Sequence, residues 1–190
     1  KYSKLNGSTI LITGGAGSVG NCAIQMAKYA GAHVISSVSG QEKMTAALNA
    51  GADHVLRYDT SHFIKDVKDI TSGRKLDLIF DVAFGHNIET NLDIIKEHGI
   101  ISTYASDNKS IAEIPFQKFL QMNLSIYSVF MYLLEDNMMQ DALQFIYNWQ
   151  IGVGIKPFIA KQYNLSETVL AHQDLESGNV IGNIIIDCQD

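Results

Sequence analysis

The stretch STILITGGAGSVGNCAIQMAKYAGAHVISSVS, residues 8–39, decides the fold. An apolar run, Thr9–Thr13, leads into Gly15-Ala16-Gly17-Ser18-Val19-Gly20, and a segment of helical period follows. A β-branched run, His33–Val38, then comes after Gly31. Strand, G-x-G-x-x-G, helix, strand is the context a dinucleotide-binding turn requires. The first glycine permits the tight turn, the second lets backbone approach a pyrophosphate, and the third lets helix and strand pack closely. Free N–H groups at the helix N-terminus then face the phosphates.

Two other uses of these glycines fail on named residues. Gly15 and Gly20 also have Walker A spacing, but Asn21-Cys22 stands where Lys-Ser/Thr would reach phosphate and magnesium. The stretch 13–20 also resembles the opening of extended short-chain dehydrogenases, which use a Tyr-x-x-x-Lys pair. None of the eight tyrosines has lysine four residues on.

Outward from this stretch, further apolar runs lie at His54–Tyr58, Leu76–Val82 and Gly99–Tyr104, with a later one at Leu124–Phe130. The first five runs read as strands buried on both faces. Between them Val19, Ala23, Met26, Ala27 and Ala30 share one helical face, as do Met44, Ala47 and Leu48, and Ile88, Leu92 and Ile95. Gly31, Gly51 and Gly99 fall where helices end. Repeated β-α units of this length specify an α/β fold, a Rossmann-type doubly wound parallel sheet. Asp136–Gln150 reads as a helix with Met139, Ala142, Leu143, Ile146 and Trp149 along one stripe. Residues 1–150 are therefore expected to form the dinucleotide-binding domain. The rest, 151–190, does not read as another unit of the same sheet: IGVGIKPFIAKQY (151–163) is irregular-to-strand, Ser166 is a good N-cap for a helix over Glu167–Ser177 ended by Gly178, and IGNIIID (181–187) is a strand.

Composition bounds the function. With 46% hydrophobic and 18% charged residues the 190-residue chain can bury a core, and its net charge of −6 counts against a nucleic-acid surface. No apolar run approaches the roughly 20 residues of a membrane span. Cys22 and Cys188 form no CxxC pair, and none of the six histidines pairs with Cys or Glu at metal spacing, so no metal site and a reducing, cytoplasmic home are expected. The chain begins at Lys1 rather than Met, without a signal-peptide pattern, and reads as a piece of a longer protein.

The second strand suggests which dinucleotide. An NAD site places an acidic residue there for the ribose 2′-OH. Here the strand ends Ser36-Ser37-Val38-Ser39-Gly40, and Lys43 follows in the next helix. Small hydroxyls plus a lysine suit a 2′-phosphate, so NADP(H) is expected. Asp53 comes too late for the ribose role.

Residues 10–43, then LNAGADHVLRYD (48–59), LDLIFDVAFG (76–85) and QYNLSETVLAHQDLESGNVIGNIIID (162–187), in that order, resemble the medium-chain dehydrogenase/reductase superfamily. Within it the likeness is to zinc-independent quinone oxidoreductases of the zeta-crystallin type, and it spans nearly the whole chain. The resemblance implies that the Gly15–Gly20 turn (Gly15, Ala16, Gly17, Ser18, Val19, Gly20) binds pyrophosphate. Ser39, Gly40 and Lys43 would meet the 2′-phosphate, and Tyr58 the adenosine phosphate and ribose. Gly85 would lie on the adenine side, Thr103, Tyr104 and Ala105 under the nicotinamide, and Val129, Phe130 and Met131 at the carboxamide. It also implies a separate catalytic domain, to which 151–190 returns, and a homodimer formed through the sheet edge at Leu124–Tyr132. Ser18 replaces a common glycine, and the arginine some members carry near the end of the last helix is absent, Gly178-Asn179 standing there.

No catalytic acid, base or nucleophile emerges, which suits hydride transfer, where the nicotinamide carries the chemistry. His86 reads as a loop histidine, Cys22 as a helix-packing thiol, and Asp81 as a residue that satisfies backbone near the cofactor. The expected function is NADPH-dependent transfer of hydride to a quinone or other α,β-unsaturated carbonyl, with this chain alone nearly inactive. Two alternatives share the sequence features: an enoyl reductase acting on acyl thioesters, and a non-catalytic nucleotide-binding sensor.

Overall fold

The computed structural model describes residues 5–106, 111–154 and 156–189; Lys1, and Ile155 within the irregular stretch, lie outside them. Six parallel strands form one sheet: β1 (Thr9–Thr13), β2 (His33–Val38), β3 (His54–Arg57), β4 (Leu76–Asp81), β5 (Ile95–Thr103) and β6 (Ser125–Ser128). Their order is β3-β2-β1-β4-β5-β6. The helices between them are α1 (Ser18–Tyr29), α2 (Gln41–Asn49), α3 (Phe63–Ile70), α4 (Phe84–Ile94) and α5 (Phe116–Gln121). The doubly wound sheet expected from the sequence is present, and its winding reverses between β1 and β4. A crevice at the carboxyl ends of the strands follows from that reversal.

Alternation along the strands explains the two cores. Ile10 and Ile12 of β1 and Val34 and Val38 of β2 pack under Ile24 of α1 and Ala47 of α2. Leu11, Ile35, Ile79 and Ile101 point the other way, onto Val67 of α3 and Leu92 of α4. Each fully buried Leu or Ile contributes about 2 kcal/mol in this setting.

Several local expectations are corrected. The buried face of α1 is Gly20, Asn21, Ile24 and Ala27, while Val19 is 49% exposed because it stands over the crevice mouth. In α2, Ala46 and Ala47 are buried and Leu48 is exposed. β3 stops at Arg57, although the Tyr58 amide still donates to Val38 O (3.2 Å). Ile95 opens β5 instead of closing the helix, because the strand starts four residues before Gly99 and reaches its register after an irregularity. Gly99 is not the left-handed residue there: His98 is (φ 59°), and an added Cβ at Gly99 would meet Ile95 Cγ1 at 2.5 Å. β6 is shorter than 124–130 and forms the sheet edge, followed by a 3-10 turn at Met131–Leu133.

The next helix, α6 (Asp136–Gly152), crosses residue 150, and only Trp149 of its expected apolar stripe is buried, with Leu143 half exposed. Trp149 and the Tyr29–Phe145 edge-to-face contact hold α6 near α1. β7 (Ile159–Asn164) and β8 (Asn183–Asp187) make a separate two-stranded parallel sheet joined by α7 (Thr168–Glu176). Ser166 is not the cap. Asn164 is, because its side chain and Glu167 form a capping box over a 3-10 turn that precedes α7. Gly178 ends that helix region at φ 70°. No helix among the described residues is long and apolar enough to cross a membrane.

Candidate functional site

The crevice predicted by the strand order is a cleft of about 810 Å³. Its floor is the turn after β1. Gly14, at φ 68°, swings the chain off the strand, and its amide and that of Gly15 donate to Ser37 O (2.9 and 3.3 Å). A Cβ at Gly15 would sit 1.9 Å from Ser36 Oγ and 2.8 Å from Ile24 Cδ1. A Cβ at Gly20 would sit 2.2 Å from Gly14 O. Packing of turn on strand and helix therefore demands both glycines. Gly17 differs, since its Cβ would meet only Gly14 O, at 3.4 Å. The fold tolerates a methyl there, and it would project where Gly17 lines the cleft.

Gly17 is also the N-cap of α1, without a side-chain cap and with no acidic residue in the first turn. The first helical bond is Asn21 N–H to Gly17 O (2.8 Å). The amides of Ser18, Val19 and Gly20 precede it, at the positive end of the helix dipole, and all three residues line the cleft. An anion is the matching ligand.

At the end of β2, Lys43 Nζ donates to Ser39 Oγ (3.0 Å), and both line the cleft with Tyr58. The sequence reading missed Glu42, whose carboxylate folds back to within 2.5 Å of where a Gly40 Cβ would stand. Arg57 lies close enough that Asp59 first, and then Glu42, hold its guanidinium more firmly charged. Asp53 is indeed elsewhere. It accepts from the Val34 amide (2.7 Å) and pairs with Lys28 (2.8 Å).

On the far side of the turn, Asp81 is wholly buried at the end of β4. Its Oδ1 accepts from Thr13 Oγ1 (3.1 Å), the Ala83 amide (2.9 Å) and Asn87 Nδ2 (2.8 Å), and its Oδ2 from Asn91 Nδ2 (2.6 Å). Thr13 Oγ1 in turn accepts from the Val82 amide (2.9 Å). Tyr104 and Ala105 line the cleft beyond β5. Tyr104 stacks on Phe80 at 5.0 Å, and burial, then the nearby Asp81 charge, pushes its phenol up. His86 is on the cleft wall. Cys22 is half-buried, and burial pushes its thiol up.

Of the residues singled out from the sequence, the cleft brings together Ala16, Gly17, Ser18, Val19, Gly20, Ser39, Lys43, Tyr58, Tyr104 and Ala105. Gly15 lies beneath it. Gly40 is at the lip, and Gly85 is buried, its amide donating to Ser106 Oγ (3.0 Å). Thr103 is buried and accepts the Val129 amide at its carbonyl (2.8 Å). Val129, Phe130 and Met131 follow the end of β6, exposed and outside the cleft lining, with Met131 opening the 3-10 turn. The reading from sequence missed Asn87 and Asn91, and also Val180 and Ile181, which close one end of the cleft from the C-terminal segment. Among the described residues no group of three or more His, Cys, Asp or Glu is placed to hold a metal ion.

Residues 18–148 match the family model described as zinc-binding dehydrogenase. A 2-haloacrylate reductase from Burkholderia sp is 24% identical over 184 residues, covering 95% of this chain and 55% of that protein. Quinone oxidoreductase 1 of Escherichia coli (strain K12) is 27% identical over 177 residues, covering 90% of this chain and 54% of that protein. The chain thus spans about half the length of these relatives. A solved structure, the quinone oxidoreductase of Thermus thermophilus, determined also as its complex with NADPH, superposes with a TM-score of 0.83 at 23% identity, over 96% of this chain and 58% of that one.

Proposed function

The chain belongs to the zinc-binding dehydrogenase family, and we propose that it is the NADP(H)-binding part of an oxidoreductase reducing quinones or other α,β-unsaturated carbonyls. One observation carries the cofactor reading. An uncapped helix N-terminus, approached past a Gly17 that the fold itself does not require, shares a cleft with the Ser39–Lys43 pair. The first suits a pyrophosphate and the second a 2′-phosphate. The names of the relatives, quinone oxidoreductase and 2-haloacrylate reductase, support an activated double bond or quinone as acceptor.

When bound, the nicotinamide supplies the hydride. The chain's own residues bind and orient: Ser18, Val19 and Gly20 amides hold the diphosphate, Lys43 and Ser39 the 2′-phosphate, and Tyr58 covers the adenosine. Tyr104 and Ala105 flank the nicotinamide end, with Thr103 beneath them and Gly85 behind the adenine side. The exposed apolar residues of the 151–190 segment, Leu165, Val169, Leu170 and Leu175 among them, would pack against a substrate-bearing domain of a longer, cytoplasmic protein. The edge at β6, with Tyr127, Phe130 and Tyr132 exposed, would take a second copy. In that dimer Val129, Phe130 and Met131 would be held rigid beside the carboxamide.

Calorimetric titration with NADPH and with NADH tests the cofactor reading. NADPH is expected to bind more tightly, and Lys43→Ala to remove about a tenfold preference, the loss of one charge-assisted contact. NADH binding equally well would refute the 2′-phosphate assignment. Sedimentation showing only monomer at high concentration would refute the dimer.

A further inference from the structure

The Asp81–Asn87–Asn91 cluster faces the cleft with a polarity that the protein itself fixes. An asparagine amide can turn either its NH2 or its oxygen toward a neighbour. Asp81 offers only oxygens, so an amide oxygen turned toward it would be repelled. Asn87 and Asn91, one helical turn apart on α4, therefore each direct an NH2 at a separate Asp81 oxygen (2.8 and 2.6 Å). Their own amide oxygens are turned away from it.

Neither oxygen has a hydrogen-bond partner among the described residues. Asn91 is only 1% exposed. Yet among the described residues no fully buried side-chain oxygen or nitrogen lacks a partner. The small exposed part of Asn91 must then be Oδ1, and Asn91 lines the cleft. Asn87, half-buried, lines it too. Leu11 and Phe63 give the same cleft part of its apolar lining. An acceptor in such a setting is costly to leave without a donor once a ligand displaces water.

We infer that Asn87 and Asn91, oriented by Asp81, form an acceptor pair that receives an NH2 group of the bound dinucleotide. This rests on the cofactor reading above. NADPH carries two such groups, the exocyclic amine of adenine and the amide of the nicotinamide carboxamide, and the shared chemistry is the paired N–H donor. Asp81 is a positioning residue in this arrangement and touches no ligand.

Three ligands separate the possibilities in calorimetric titrations of the chain: NADPH, its hypoxanthine analogue, in which oxygen replaces the adenine amine, and its 3-acetylpyridine analogue, in which methyl replaces the carboxamide NH2. One analogue is expected to bind about tenfold more weakly or worse than NADPH, the loss of one buried hydrogen bond with an acceptor left bare. Loss with the hypoxanthine analogue assigns the pair to adenine; loss with the acetylpyridine analogue assigns it to the carboxamide. Asn87→Leu is expected to abolish that discrimination and to leave the NADPH-over-NADH preference intact. A merely structural role for Asn87 would lower both together or neither. Equal binding of all three ligands by the unaltered chain overturns the inference and leaves the cofactor reading standing. Binding of none overturns both.

Discussion

Alanine at Gly17 and alanine at Gly20 separate what the ligand demands from what the fold demands. At Gly20 the new Cβ lies 2.2 Å from Gly14 O and 2.7 Å from its carbonyl carbon, more than 1 Å inside ordinary contact at about 3.5 Å. The clashing atoms are backbone, so no rotamer change relieves it. Replacing a helical glycine by alanine returns about 1 kcal/mol of propensity, against an overpacking cost of roughly 3 kcal/mol or more. A net loss of about 2 kcal/mol corresponds to a melting temperature lower by roughly 4–8 °C in a chain of this size. At Gly17 the nearest atom is 3.4 Å away and φ is −79°, which alanine adopts freely. The poorer N-cap costs a few tenths to about 1 kcal/mol, and the stiffer unfolded chain returns about as much. Gly17→Ala is therefore expected to melt within about 2 °C of the unaltered chain. Its methyl stands where a diphosphate approaches the α1 amides, so NADPH affinity is expected to fall at least tenfold, about 1.4 kcal/mol. Thermal melts by circular dichroism and calorimetric titrations read the two effects independently. Equal destabilisation by both substitutions, or undiminished NADPH binding by Gly17→Ala, would refute the reasoning.

Four further outcomes follow from the same structure. Glu42→Gln removes a carboxylate from the lip beside Ser39 and Lys43 and is expected to raise the NADPH-to-NADH affinity ratio in paired titrations; an unchanged ratio would place Glu42 outside the field felt by the 2′-phosphate. Burial pushes the Asp53 carboxyl up, but its bonds from Lys28 and the Val34 amide outweigh that and hold it below its ordinary value. Its stabilising contribution is therefore present above about pH 4 and lost as pH falls below that, so Asp53→Asn is expected to flatten the acid limb of urea midpoints between about pH 5 and 3. Trp149, the chain's one tryptophan and 3% exposed, is expected to emit at short wavelength and resist iodide quenching, with a red shift on unfolding. Exposed Cys188 is expected to react with a thiol reagent well before Cys22, whose thiol burial pushes up.

The strand–glycine–helix unit was legible because its determinants are local: a run, a spacing and a period within one short stretch. Ser39 and Lys43 were legible for the same reason, four residues apart across one helix start. Asp81 was legible as a carboxylate that satisfies backbone, as its bond from the Ala83 amide shows, whereas Asn87 and Asn91 were visible only as isolated polar residues. Their meaning depends on α4 leaving β4 at an angle that brings its first two turns over one carboxylate. The α6 stripe misled because apolar periodicity reports a face that needs cover, not the partner that supplies it; within this chain only Trp149 finds one. Gly99 misled because glycine can answer a close contact as well as a left-handed turn. Here His98 takes the turn and hydrogen-bonds through its ring to Asn123 (2.9 Å), itself at φ 49°.

The small β7–β8 sheet has a dynamic consequence. Two strands alone are marginal in water, and much of the apolar surface around them is solvent-facing. Amide hydrogens of β7 and β8 are expected to exchange through local opening, ahead of those in β1 and β4, which are paired on both sides. Val180 and Ile181 travel with that segment and wall one end of the cleft. Each opening thus removes part of the ligand's surroundings, and apparent affinity scales with the fraction of time the segment is docked. By linkage, a bound dinucleotide would slow exchange in a tail that lies far along the chain from the glycine turn.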